Sequence, residues 1–159
     1  SARGKQGVSV IHQCGNHLLN LINEVLDLAK IEARKLEIHP IDVHFETLLE
    51  GVADMMRVRA RQKGIHFSYV LEGEIPTGVV VDEKRLQQVL INLLGNAIKF
   101  TETGSVTLRV IAPERNEIDR SNENAVTQKI RFEVQDTGVG ISEAGLAKIF
   151  QQYAHVGDL

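Results

Sequence analysis

The sequence has one cysteine, Cys14, in 159 residues. That excludes an internal disulfide framework and any cysteine-cluster zinc site, and it fits a reducing compartment. There is no run of about 18 continuous apolar residues and no signal-peptide layout at the start. The chain is therefore expected neither to span nor to enter a membrane by itself, with the cytoplasm as its location, although a longer parent could carry a membrane segment. There is no positive excess either: 18 Lys and Arg stand against 21 Asp and Glu, a net charge of −3. Nucleic acid and anionic lipid call for a basic field, so no nucleic-acid partner is expected and any phosphate site must be local. Internal repeats and low-complexity tracts are also missing. What is present, 43% hydrophobic and 25% charged residues, is the balance of a globular protein long enough to bury its own core.

In the first 36 residues Val8, Ile11, Gly15, Leu18, Ile22, Val25 and Ala29 recur three and four apart, the period of a helical seam, with Leu19, Leu21, Leu26 and Leu28 beside it. So wide a stripe predicts a bundle helix whose partners lie elsewhere; the alternative is a helix lying on the chain's own sheet. From Lys35 the period changes, and Leu36, Ile38, Ile41 and Val43, interrupted by Pro40, predict a short edge strand. Asp42 is expected to cap a helix with apolar positions Phe45, Leu48, Leu49, Val52, Met55 and Met56. Arg57, Arg59, Arg61 and Lys63 then form a solvated, dipole-matched end before Gly64. Strands are expected at Ile65 to Leu71 and at Val79 to Val81, around a turn with Gly73, Pro76 and Gly78. A second helix should run from Asp82 to about Phe100. Neighbouring antiparallel strands follow around Val106 to Val110 and Ile130 to Val134, with a solvated, mobile hairpin excursion from Pro113 to Thr127 between them. A last short helix is expected from Ser142 to about Gln152.

On a wheel of about 100° per residue, Leu86, Leu90, Leu93, Leu94 and Ala97 form one face of the second helix. Arg85, Gln88, Asn92, Asn96 and Lys99 fall within an arc of roughly 80° on another. Asparagine is a poor helix former, so two of them four apart need a reason. Their carbonyl oxygens suit a hard cation and Lys99 suits a phosphate; a plain solvated face is the alternative. The second cue is the run from Val134 to Ile141, a strand ending in Asp136 and followed by Gly138 and Gly140. Such glycines let a backbone approach a ligand or act as hinges, and the carboxylate can accept from an amine; alone, the run could be a turn.

Together these cues resemble a known family. The run from Arg85 to Thr101, with Asn92, Asn96, Lys99 and Phe100, resembles the N box of sensor histidine kinases. Asp136-Thr-Gly138-Val-Gly140-Ile141 is similar to their G1 box, and Ile149-Phe150-Gln-Gln-Tyr153 to their F box. The stretch from Gly15 to Ala33 resembles the second helix of the dimerisation and phosphoacceptor domain. The resemblance implies an α+β fold of the Bergerat type, an α/β sandwich with helices covering one face of a mixed sheet. It implies residues 1–36 as part of the dimerisation domain and 37–159 as the ATP-binding domain. It also implies ATP and Mg as cofactors, a response-regulator receiver domain as partner, and a homodimer through the N-terminal helix. Carried over residue by residue, Asn96 would ligate Mg with Asn92 beside it, Lys99 would contact phosphate, and Phe100 would line the pocket. Asp136 would receive the adenine amino group, Gly138 and Gly140 with Ile141 would start the ATP lid, and Phe150 with Tyr153 would pack its far side.

Related gyrase-type, mismatch-repair and chaperone ATPases typically carry a water-activating glutamate where this chain has Asn92, so the resemblance favours phosphoryl transfer over hydrolysis. A non-catalytic interaction module is the rival from another class. Two departures bear on activity. The family's phosphoacceptor histidine is followed by an acidic residue, whereas His12, His17, His39, His44, His66 and His155 are followed by Gln, Leu, Pro, Phe, Phe and Val. No second glycine box follows the F-box-like run, so the expectation is a piece of a longer kinase, inactive alone.

Overall fold

The computed structural model describes residues 14, 15, 18, 19, 22, 23, 25–112, 119–122 and 125–143, of which 119–122 and 125–127 are described by backbone alone. Phe150, Tyr153, His12, His17, His155 and nearly all of the expected last helix lie outside these residues. The chain divides into two compact units, one of which is Ile38–Ile141.

The other unit contains α1 (residues 25–32), and residues 14, 15, 18, 19, 22 and 23 are helical as well. The helix ends where Arg34 takes a left-handed φ of 53° and the Lys35 N–H donates to Lys30 O at 2.8 Å, the long closing bond that satisfies a terminal carbonyl. The seam is apolar and open: Leu18, Ile22 and Val25 are 58%, 47% and 66% exposed.

The main unit begins with β1 (Ile41–His44), which runs directly into α2 (Phe45–Lys63). Two expectations fail here. Leu36 and Ile38 belong to no strand, since residues 35–40 have no regular structure; Pro40 has no N–H, and that of His39 donates to Asp82 Oδ2 at 2.9 Å. Asp42 does not cap the helix either, for it lies within β1 opposite Val80. The N-cap is His44, which makes no side-chain cap bond. Burial decides between them: a helix starting after Asp42 would pull Val43 from the core, whereas the observed start buries it and lets Phe45 N–H donate to Thr77 O at 2.9 Å.

β2 (His66–Glu72), β3 (Gly78–Val81), α3 (Glu83–Phe100), β4 (Ser105–Ile111), β5 (Asp119–Asn122), β6 (Ala125–Thr127) and β7 (Arg131–Asp136) follow. β2 pairs with β4 in parallel and β4 with β7 antiparallel, giving a mixed sheet of order β2-β4-β7; β1 pairs with β3, and β5 with β6, both antiparallel. Along β4 the alternation is strict. Val106, Leu108 and Val110 are fully buried and Thr107 and Arg109 half-buried, so one sheet face meets the helices. Against it lie Leu48, Leu49, Val52, Ala53 and Met56 of α2, with Leu90, Leu94, Ala97 and Ile98 of α3. Met55, expected among the apolar positions of α2, is turned outward and 43% exposed. The rings of Phe45 and Phe132 meet edge to face, centroids 6.3 Å apart, locking the start of α2 to β7.

Candidate functional site

α3 presents the polar face that the wheel predicts. Its N-cap is Asp82, whose Oδ1 accepts from Arg85 N at 3.1 Å while Oδ2 accepts from His39 N. These two N–H donors, His39 first, hold the Asp82 carboxyl below its ordinary value. Along the helix Arg85 Nη1 donates to Gln88 Oε1 at 2.9 Å. Asn92, Asn96 and Lys99 are exposed, with fully buried Leu90 and Leu94 on the core side.

Leu93 corrects the expected core face. It is 49% exposed, as are Val89 and Phe100 at 53% each. The sheet admits only the narrow stripe of Leu90, Leu94, Ala97 and Ile98, and Leu93 lies about 100° round the helix from Leu94. An apolar strip thus flanks the amide-bearing face. At its end Lys99 Nζ stands 5.1 Å from the Phe100 ring centroid, within cation–π range.

The helix ends at Thr101, which is fully buried; its N–H and Oγ1 both donate to Ala97 O, at 3.1 and 2.8 Å. Lys63, expected on a solvated helix end, instead turns onto α3 and donates to Ile98 O at 3.0 Å and Lys99 O at 2.6 Å.

The second cue comes to the same place. β7 delivers Asp136 to the sheet edge opposite Val106. Thr137 fixes the turn that follows: its N–H donates to Ser105 O at 3.1 Å and its Oγ1 accepts from Ser105 N at 3.0 Å. Gly138 N–H then donates to Asp136 Oδ1 at 2.9 Å. A Cβ on Gly138 would stand 2.5 Å from Phe100 O and 2.9 Å from Asp136 Oδ1, so the glycine is the residue the close approach requires. Gly140 has a left-handed φ of 67°, and Val139 and Ile141 beside it are 84% and 57% exposed. The end of α3 at Phe100 and the Asp136–Ile141 segment, 36 residues on in the chain, thus meet at Gly138. Sequence reasoning missed the roles of Thr137 and Lys63, because their hydrogen bonds join elements distant in the chain and leave no local pattern. The bonds of Thr101 are local, to Ala97 O, and what the sequence did not announce is its full burial.

Residues 81–158 match the family model described as histidine kinase-, DNA gyrase B- and HSP90-like ATPase. The chain is 40% identical over 155 residues to the virulence sensor protein BvgS of Bordetella pertussis, a match covering 96% of this chain and 12% of that protein. It is 34% identical over 148 residues to the signal transduction histidine-protein kinase BarA of Escherichia coli K12, covering 92% and 15%. Among solved structures, full-length ShkA in complex with AMPPNP aligns with a TM-score of 0.71 and 37% identity, over 94% of this chain and 30% of that one. The chain spans 12% and 15% of the length of these two curated relatives. Residues 81–158 therefore belong to the histidine kinase-like ATPase family, and the chain as a whole is homologous to the sensor kinases of two-component signalling.

Proposed function

We propose that this chain is the ATP-binding catalytic part of a cytoplasmic sensor histidine kinase, with residues 1–36 as its share of the dimerisation helix and 37–159 as the nucleotide-binding domain. The full reaction moves the ATP γ-phosphate to a histidine imidazole and then to an aspartate of a response-regulator receiver domain. The observation that carries this reading is the seating of Gly138 against the Phe100 carbonyl, which joins the end of the helix bearing Asn92, Asn96 and Lys99 to the turn after Asp136.

The donor set fits Mg-ATP. Asp136 is anchored at one carboxylate oxygen by Gly138 N–H, leaving acceptor capacity for the adenine amine. Asn96, with Asn92 beside it, offers a neutral amide oxygen for Mg. Lys99 supplies a cation for phosphate, and the exposed strip of Val89, Leu93 and Phe100 supplies an apolar wall. Gly138, Gly140 and Ile141 begin the lid. The bound nucleotide contributes the transferable phosphoryl group; the chain binds it, orients it and neutralises its charge. Asn92 has no basic carboxylate with which to activate water, which favours transfer over hydrolysis.

Calorimetric titration of the 159-residue chain with Mg-ATP tests the site. Asn96→Ala and Asp136→Ala should each weaken binding about tenfold or more, as expected for losing a hydrogen bond to a charged group. Unchanged affinity in both variants would remove the assignment.

A further inference from the structure

The last turn of α3 leaves four carbonyls without partners inside the helix, those of Ala97, Ile98, Lys99 and Phe100. Thr101 satisfies the first through its N–H and hydroxyl. Phe100 O faces Gly138. The two between them, Ile98 O and Lys99 O, accept from one ammonium, Lys63 Nζ at the end of α2. The same nitrogen lies 3.5 Å from Glu102 Oε1, so the three donors of the lysine have three acceptors. The Lys63 side chain is 28% exposed, against 81% for Glu102, and a cation at a helix C-terminus is favourable to its dipole.

We infer that Lys63 is a positioning residue for the nucleotide site: by tying the Ile98 and Lys99 carbonyls to α2, it fixes the path of Lys99 and Phe100 and hence the seat of Gly138. This rests on the nucleotide reading above. Lys63 is assigned no contact with the nucleotide, since two of its donors are committed to the end of α3 and the third faces Glu102. Without it, two carbonyls lose their partner and the turn carrying Lys99 and Phe100 is free to fray. The Phe100 carbonyl then no longer holds one position against Gly138, and a preorganised site becomes one that must be ordered by the ligand.

The test titrates the 159-residue chain, Lys63→Gln and Lys63→Arg with Mg-ADP, and follows amide hydrogen exchange at Thr101 and Gly138. Lys63→Gln should bind about tenfold more weakly and exchange faster at both amides. Lys63→Arg, which keeps a cation and its donors, should recover most of the affinity. Glu102→Gln, which leaves both carbonyl bonds in place, should bind like the parent. A measurement on the unmodified chain covers the case in which Lys63→Gln does not fold. The Lys63 ammonium nitrogen resonance should be protected from water and should shift when Mg-ADP is added; a resonance that exchanges freely and does not shift overturns the inference. Parental affinity in Lys63→Gln, or a failure of Lys63→Arg to recover, overturns it as well. An unmodified chain that does not bind Mg-ADP overturns the nucleotide reading first and this inference with it.

Discussion

Gly138 sits against the main chain of Phe100 with no room for a side chain: a Cβ there would be 2.5 Å from Phe100 O and 3.0 Å from Phe100 C. Both are backbone atoms at the end of a helix whose core side is fully buried, so they cannot swing aside as a flexible side chain would. Gly138→Ala should therefore cost about 1 to 3 kcal/mol, the range of overpacking, and weaken Mg-ADP binding. Gly140→Ala meets open space but keeps a left-handed φ of 67°, so its cost should be nearer 1 kcal/mol, from backbone strain alone. Chemical denaturation and calorimetry on the two variants check this. Parental stability and affinity in Gly138→Ala would contradict it.

Asp82 joins two elements through one carboxylate, accepting from His39 N and Arg85 N. These bonds lower its pKa from 3.8. The sign follows from linkage: with the folded value depressed, the stabilising contribution is present above the unfolded value and is lost as pH falls through the folded one. Asp82→Asn keeps one oxygen that can accept the Arg85 N–H but puts an NH2 donor where Oδ2 accepts from His39 N. It should be less stable than the parent at pH 7 and, since it does not titrate, lose less of its stability as pH drops below 4. Asp82→Ala should lower the thermal midpoint at neutral pH through loss of the helix cap. Thermal melts at pH 7 and at acid pH distinguish the three proteins.

Tyr69 carries a buried hydroxyl with no hydrogen-bond partner among the described residues. Burial foremost, then Glu50 and Glu46 against the opposing Arg57, pushes its pKa from 10.0 up to about 12. A raised folded-state pKa gives a contribution fully present below pH 10 and lost as pH rises towards 12. Tyr69→Phe keeps the ring and removes an unsatisfied group, so it should be neutral or stabilising by up to about 1 kcal/mol at pH 7. It should also flatten the alkaline loss. Urea midpoints at pH 7, 10 and 11 are the measurement, and a clear loss of stability at pH 7 would mean that the hydroxyl has a partner in solution.

This polypeptide, given Mg-ATP, should form no phosphohistidine of its own, because no histidine in it is followed by a carboxylate to orient and activate an imidazole. γ-Labelled ATP and a search for acid-labile, base-stable label check this. Label on His12 or His17 would show that the helix read as the second of the bundle carries the acceptor.

The apolar stripe of the N-terminal helix should bring two copies of the chain together, since Leu18, Ile22 and Val25 are otherwise left in water. Sedimentation of the full chain beside one without its first 34 residues is the comparison. If both remain monomers at high concentration, the bundle reading of this helix falls.

Much of this molecule is local in origin, and what is local was readable. The extent of α3 follows from a cap at Asp82 and a 3.6-residue pattern; the amide face of Asn92, Asn96 and Lys99 follows from helical geometry alone; β4 and β7 follow from alternation. These features depend on neighbours within a turn or a strand, so the sequence by itself determined them. The errors came where local preference met burial. Asp42 is a good cap in isolation, yet β1 keeps it because Val43 is worth more in the core. Leu93 continues an apolar face, yet it faces outward because the sheet is only wide enough for the stripe beside it. Only the tertiary structure decided that Lys63 and Thr101 close the end of α3, that Thr137 pins the turn to Ser105, and that Gly138 meets Phe100. Each joins residues whose separation in the chain, or whose burial, no local periodicity encodes, and their partners are main-chain atoms, which every residue possesses and no residue type announces.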